Sequence, residues 1–140
     1  MNQENQKKIQ EKYLELQVLN SQIRQINQEL SLLDSQLIEV KRVEENLEDL
    51  KEVKLNTELL TSLGPGIFIK TNLKDNKEIL VNIGVDVVIK KDIDSAMDYV
   101  KKQGDKIESV IKEIEQELNR ININGEKLQE ELNTLMKEDK

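Results

Sequence analysis

Apolar residues in the first third of the chain recur at alternating steps of three and four. From about residue 5 to 55, a stretch without glycine or proline, they fall at Ile9, Leu16, Leu19, Ile23, Ile26, Leu30, Leu33, Leu37 and Val40, with Lys12 filling one slot. Such steps keep one stripe on one helix face. Sustained over more than four heptads, the stripe predicts a coiled-coil seam. Beyond Val40 the phase blurs: Glu44 takes a seam slot beside Val43, and Leu47 resumes the pattern. At ~1.5 Å per residue the helix would run roughly 75 Å. No single small domain buries that length, so the helix is expected to project.

The last third, from about 92 to 138, repeats the pattern. Its stripe is Ile93, Met97, Val100, Gly104, Ile107, Ile111, Ile114, Leu118, Ile121, Gly125, Leu128, Leu132 and Leu135. Asp92 suits the N-cap, where a short oxygen-bearing side chain accepts from a free backbone N–H, and Asp94 suits the positive end of the helix dipole. The two stripes match when paired residue numbers sum to 144: Ile9 with Leu135, Leu16 with Leu128, Ile23 with Ile121, Leu30 with Ile114, Leu37 with Ile107, Leu47 with Met97. An antiparallel coiled-coil hairpin is therefore predicted. A shift of one heptad also preserves the phase, so the absolute register stays open. In this register Lys12 faces Leu132 and Gly125 faces Leu19, which weakens the seam toward the chain termini. Gly104 falls opposite Val40.

The segment between the helices has another period. Thr57–Thr61, Gly66–Thr71, Glu78–Ile83 and Val87–Lys90 are short runs rich in Ile, Val and Thr, separated by Leu63–Gly64–Pro65–Gly66, by Asp75–Asn76 and by Gly84–Val85–Asp86. Runs of this kind between turn residues predict two β-hairpins. Hairpins alone are marginal in water and their edges lack partners, so an assembly platform is expected here. The predicted fold class is mainly α with small β, with 5–55, 56–91 and 92–138 as parts of a single domain spanning 1–140.

Composition sharpens this picture. There are one Phe, two Tyr and no Trp, while charged residues make up 35%. A thick aromatic core is excluded, and long helices meeting at a narrow seam are favoured. Net charge is −7. By segment, residues 1–60 hold 8 basic and 12 acidic groups, 61–91 hold 5 and 3, and 92–140 hold 8 and 13. Neither end resembles a phosphate-binding arm, which argues against nucleic acid as a partner. With no Cys and no His, disulfides, thiolate metal sites and imidazole catalysis are all missing.

Nothing else in the chain suggests chemistry. Ser and Thr lack an activating base, so no enzyme, metal or cofactor is expected. Glu44, Glu45, Glu48 and Asp49 read as a solvated face. Gly64–Pro65–Gly66 is a turn and not a phosphate loop, since no Gly-Lys-Ser/Thr ending follows. No apolar run is long enough for a membrane span, and MNQENQKK lacks a signal-peptide core; a soluble, cytoplasmic chain is expected.

The central text SLGPGIFIKTNLKDNKEILVNIGVDVVIKKDIDSAMDYVKK resembles that of the alpha class of prefoldin subunits. The shared pattern is Leu-Gly-x-Gly, an apolar strand, a Lys/Asp connection, a Val/Ile strand ending in Gly, and a helix start of the form D-x-A-x-x-Y/F, here Asp94–Ser95–Ala96–Met97–Asp98–Tyr99. Beta-class relatives carry one hairpin. The resemblance implies a hexamer of two alpha and four beta subunits whose hairpins join in β-barrels. It also implies capture of non-native client proteins and their delivery, without ATP, to a group II chaperonin.

On that reading Ile9, Tyr13, Leu14, Leu16, Leu128, Leu132, Leu135 and Met136 supply the client-binding tips. Tyr13, Leu14 and Met136 lie beside the seam slots and are expected to be partly exposed. Ile67, Ile69, Ile79, Val81, Ile83, Val87 and Ile89 are expected to bury against another subunit. A structural coiled-coil scaffold without client-holding activity is the alternative.

Overall fold

The computed structural model describes residues 3–138. In chain order they form helix α1 (Gln3–Lys51), strands β1 (Glu58–Gly64), β2 (Ile67–Asn72), β3 (Glu78–Gly84) and β4 (Val87–Asp92), and helix α2 (Ile93–Glu138). β1 pairs with β2 and β3 with β4, as two separate two-stranded antiparallel sheets. The mainly α fold with two β-hairpins is thus the one the periodicities predict. The chain divides into two compact units, residues 1–36 with 107–140 and residues 37–106.

In the first unit burial follows the predicted stripe. Along α1, Ile9, Lys12, Leu16, Leu19, Ile23, Ile26, Leu30 and Leu33 are half-buried, and the positions between them are exposed. Along α2, Ile111, Leu128 and Leu132 are buried. Lys12 Nζ donates to Glu131 Oε2 at 2.5 Å, one residue from the Leu132 that the sum of 144 sets opposite it. The register left open by the sequence is settled in this unit. Lys12 lays its stem in the seam and carries its ammonium to the edge. That carboxylate bond holds the Lys12 pKa above the usual lysine value.

The second unit is built on Leu47, Leu73 and Ala96, all buried. Gly104 is also buried, and a Cβ placed on it would lie 3.3 Å from Val40 Cγ1 and 3.9 Å from Leu37 Cδ1. The numbers 40 and 104 again sum to 144. Lys51 and Asp94 form an ion pair, which raises the Lys51 pKa.

Helix α1 stops at Lys51, four residues short of the expected 55, for local reasons. Glu52 N and Val53 N bond back to Asp49 O and Leu50 O, tightening the last turn. Asn76 Nδ2 then donates to Leu50 O at 3.2 Å and to Val53 O at 2.9 Å, satisfying carbonyls the helix leaves free. Asn56, at φ 68°, reverses the chain in the left-handed region that Asn tolerates.

The two hairpins are near copies. Glu58, Leu60, Gly64, Ile69 and Lys70 recur twenty positions later as Glu78, Leu80, Gly84, Ile89 and Lys90. The registers also shift by twenty, from Thr61↔Ile69 to Val81↔Ile89, and each hairpin breaks its ladder two residues before the turn glycine, at Ser62/Gly64 and Asn82/Gly84. Both turns use one left-handed residue, Gly66 at φ 74° and Asp86 at φ 57°. The bond closing each hairpin repeats too, Leu73 N to Thr57 O and Ile93 N to Lys77 O, both 3.0 Å. β4 runs directly into α2, and Asp92 Oδ1 accepts from Ser95 N at 2.7 Å as the predicted N-cap.

Candidate functional site

Helix periodicity sorts the residues near the chain termini into seam and flank. Leu128 and Leu132 are 7% and 5% exposed, so they belong to the seam. Ile9, Leu16 and Leu135 are half-buried. Tyr13, Leu14 and Met136 are each more than half exposed. Val18, one turn beyond Leu14, is 57% exposed and was not among the sequence-predicted tip residues. Its spacing of four from Leu14 carries the signal, but a stripe search discards it because it lies off the seam.

These side chains shape the first unit's surface. One open groove of about 770 Å³ lies between the helices, with Leu14, Val18, Leu19 and Leu128 as its apolar lining and Glu11, Glu15, Glu131 and Lys127 among its polar lining. A second, of about 670 Å³, shares Glu11, Glu15, Lys127 and Glu131 and reaches Leu135. Tyr13 and Met136 line neither groove. Exposed apolar groups beside open concavities suit reversible, non-specific contact with other chains.

The hairpins present a different surface. Of the strand residues expected at an interface, Ile67, Ile69, Ile83 and Val87 are exposed and Ile79, Val81 and Ile89 half-buried. Side chains alternate across a strand, and the face opposite Ile79, Val81 and Ile89 carries Leu80 and Val88 among Glu78, Asn82 and Lys90. Leu80 is 68% exposed there and Val88 57%, with Leu60 and Phe68 as their counterparts in the first hairpin. Sequence reading took the odd-numbered positions and missed this face. Ile67–Ile69, Ile79–Val81 and Val87–Ile89 are apolar at successive positions, and continuous apolar runs mark strands covered on both faces.

Among the described residues, no cluster of three or more His, Cys, Asp or Glu could hold a metal. No helix among them is long and apolar enough to cross a membrane. Glu44, Glu45 and Glu48 face Met97, Asp98 and Lys101 across a shallow concavity, consistent with a solvated acidic face.

Helices pairing antiparallel within each unit, with two β-hairpins between them and apolar faces left bare, define a coiled-coil subunit of the two-hairpin class. The sequence profile described as "Prefoldin subunit" matches residues 19–138, and the chain belongs to the Prefoldin family. The prefoldin subunit alpha of Methanococcus vannielii is 31% identical over 120 residues, covering 81% of this chain and 80% of the relative. That of Archaeoglobus fulgidus is 29% identical over 127 residues, covering 91% and 93%. The fold matches a chain in the cryo-EM structure of filamentous PFD from Methanocaldococcus jannaschii, with a TM-score of 0.75, 17% identity, and coverage of 83% of this chain and 96% of that one. The role that goes with this membership is that of a chaperone subunit.

Proposed function

We propose that this chain, as a single prefoldin-like domain, is the alpha-class subunit of an ATP-independent cytoplasmic holdase. It assembles through its hairpins with beta subunits, two alpha to four beta. It binds non-native proteins near its helix ends and passes them to a group II chaperonin, catalysing nothing. The observation that carries the proposal is the placement of bare apolar surface in both units. Tyr13, Leu14, Val18 and Met136 are exposed in one, and Leu60, Phe68, Leu80 and Val88 in the other. The first set is dispersed among charged and amide side chains and suits weak, releasable contacts that several arms multiply. The second set sits on two-stranded sheets that gain stability by pairing.

Removing residues 1–15 and 128–140 separates the two surfaces. The truncated chain is expected to assemble normally and to lose suppression of aggregation of a denatured protein, measured without nucleotide. If the truncated chain still holds the denatured protein, the helix ends are not the binding site. If it fails to assemble, those ends are structural and the scaffold reading gains.

A further inference from the structure

The two flanks of the helix ends differ in charge. Residues at steps of three and four share a helix flank. On one flank Glu11, Leu14, Glu15 and Val18 meet Lys127 and Glu131 around the larger groove. On the other, Tyr13 and Met136 lie among Gln10, Gln17, Gln129 and Asn133, with Gln129 Nε2 donating to Asn133 Oδ1 at 3.2 Å. The seam separates a charged groove with an apolar lining from an amide-rich strip whose nearest charge on α2 is Glu126.

The charges in the groove do not balance. Lys12 is committed to Glu131. Together the two grooves are lined by the carboxylates of Glu11, Glu15, Glu130 and Glu131 and the ammoniums of Lys8, Lys12 and Lys127, an excess of one negative charge, and Glu15 also attracts Lys12. The surrounding unit reinforces the sign: residues 1–36 and 107–140 together hold 9 basic and 14 acidic groups, a net charge of −5 out of the chain's −7. A field of one sign over an apolar groove raises the local concentration of ligands of the opposite sign.

We propose that the Leu14–Val18 groove is a charge-selective subsite for unfolded segments in which bulky apolar residues alternate with Lys or Arg. Glu11 and Glu15 set the selection and Val18 supplies apolar contact, while the Tyr13–Met136 flank binds apolar segments regardless of charge. This deepens the client-binding reading and rests on it.

The test uses the full chain in its assembly and three fluorescent peptides sharing the same apolar residues, with Lys, Ser or Glu at the intervening positions. Fluorescence anisotropy at low salt is expected to show the Lys peptide binding about threefold to tenfold more tightly than the Glu peptide, the scale of a few exposed charge pairs. Added salt should narrow that ratio. The double variant Glu11→Gln, Glu15→Gln should at least halve the ratio without weakening the Ser peptide, the remainder coming from the acidic unit around the groove. Tyr13→Ser with Met136→Ser should weaken all three peptides without lowering the ratio. Equal binding of Lys and Glu peptides by the unaltered chain, with the Ser peptide bound, overturns the charge selection but spares the client-binding reading. So does a ratio that the double Glu variant lowers by less than half. Failure of all three peptides to bind overturns both.

Discussion

Gly104 lies so close to Val40 that a Cβ on the glycine would stand 3.3 Å from the valine Cγ1. Gly125, in the same stripe, has nothing within 4 Å of its would-be Cβ. Two glycines of one helix therefore answer substitution differently. Gly125→Ala recovers helix propensity and is expected to stabilise the chain by about 0.5–1 kcal/mol. At Gly104→Ala the same gain is opposed by crowding, so the net change should be near zero. Gly104→Leu should destabilise by about 1–3 kcal/mol through overpacking, and Val40→Ala should relieve part of that loss. Urea unfolding of the single and double variants measures all four. A Gly104→Leu chain as stable as the parent would show that the helices do not approach closely here.

Asn76 ties the connection between the hairpins to the end of α1 through Leu50 O and Val53 O. Asn76→Ala leaves two carbonyls without their donor and should cost about 1–3 kcal/mol in urea unfolding. Asn76→Asp should cost more, because a carboxylate cannot donate to them. A smaller loss for Asp than for Ala would contradict this capping role.

The bare hairpin faces predict how assembly fails. Ile69→Asp and Val81→Asp should each release smaller species in sedimentation velocity, as should Leu80→Asp on the opposite face. Disruption by Leu80→Asp alone would place the partner on the even-numbered face. An assembly unaffected by all three would exclude the hairpins as the platform.

Stability at low pH should report on Asp92. The Ser95 backbone N–H, followed by the Ser95 side chain, holds its carboxyl below the usual aspartate value. A carboxyl with a depressed folded pKa adds stability that is complete above the ordinary range, near pH ~4, and is lost as pH falls through the lower folded value. Asp92→Asn keeps a capping oxygen but cannot titrate, so its stability should fall less steeply on acidification. Parallel acid profiles for parent and variant, followed by circular dichroism, would show that this cap does not titrate with folding.

Much of this architecture is legible in the residues. The helix pair can be read because every seam slot from Ile9 to Val40 has a counterpart at 144 minus its number, and the hairpins because Gly, Pro, Asn and Asp punctuate short apolar runs. The failures share a cause. Val18, Leu60, Leu80 and Val88 escaped because a search for one periodic face ignores apolar residues off that face, and these residues matter for what they leave uncovered. The end of α1 escaped because it depends on Asn76, whose partners Leu50 and Val53 lie more than twenty positions away. The heptad ambiguity yielded only to side-chain contacts such as Lys12 with Glu131.

The doubled hairpin makes the chain its own experimental control. Leu60 and Leu80 hold the same place in two copies of one seventeen-residue unit, as do Ile69 and Ile89. A change made at these shared residues can be repeated in the other copy within the same strand register. Where paired substitutions leave each copy's own stability alike but differ in their effect on assembly, the asymmetry of the surrounding complex becomes measurable from a single polypeptide.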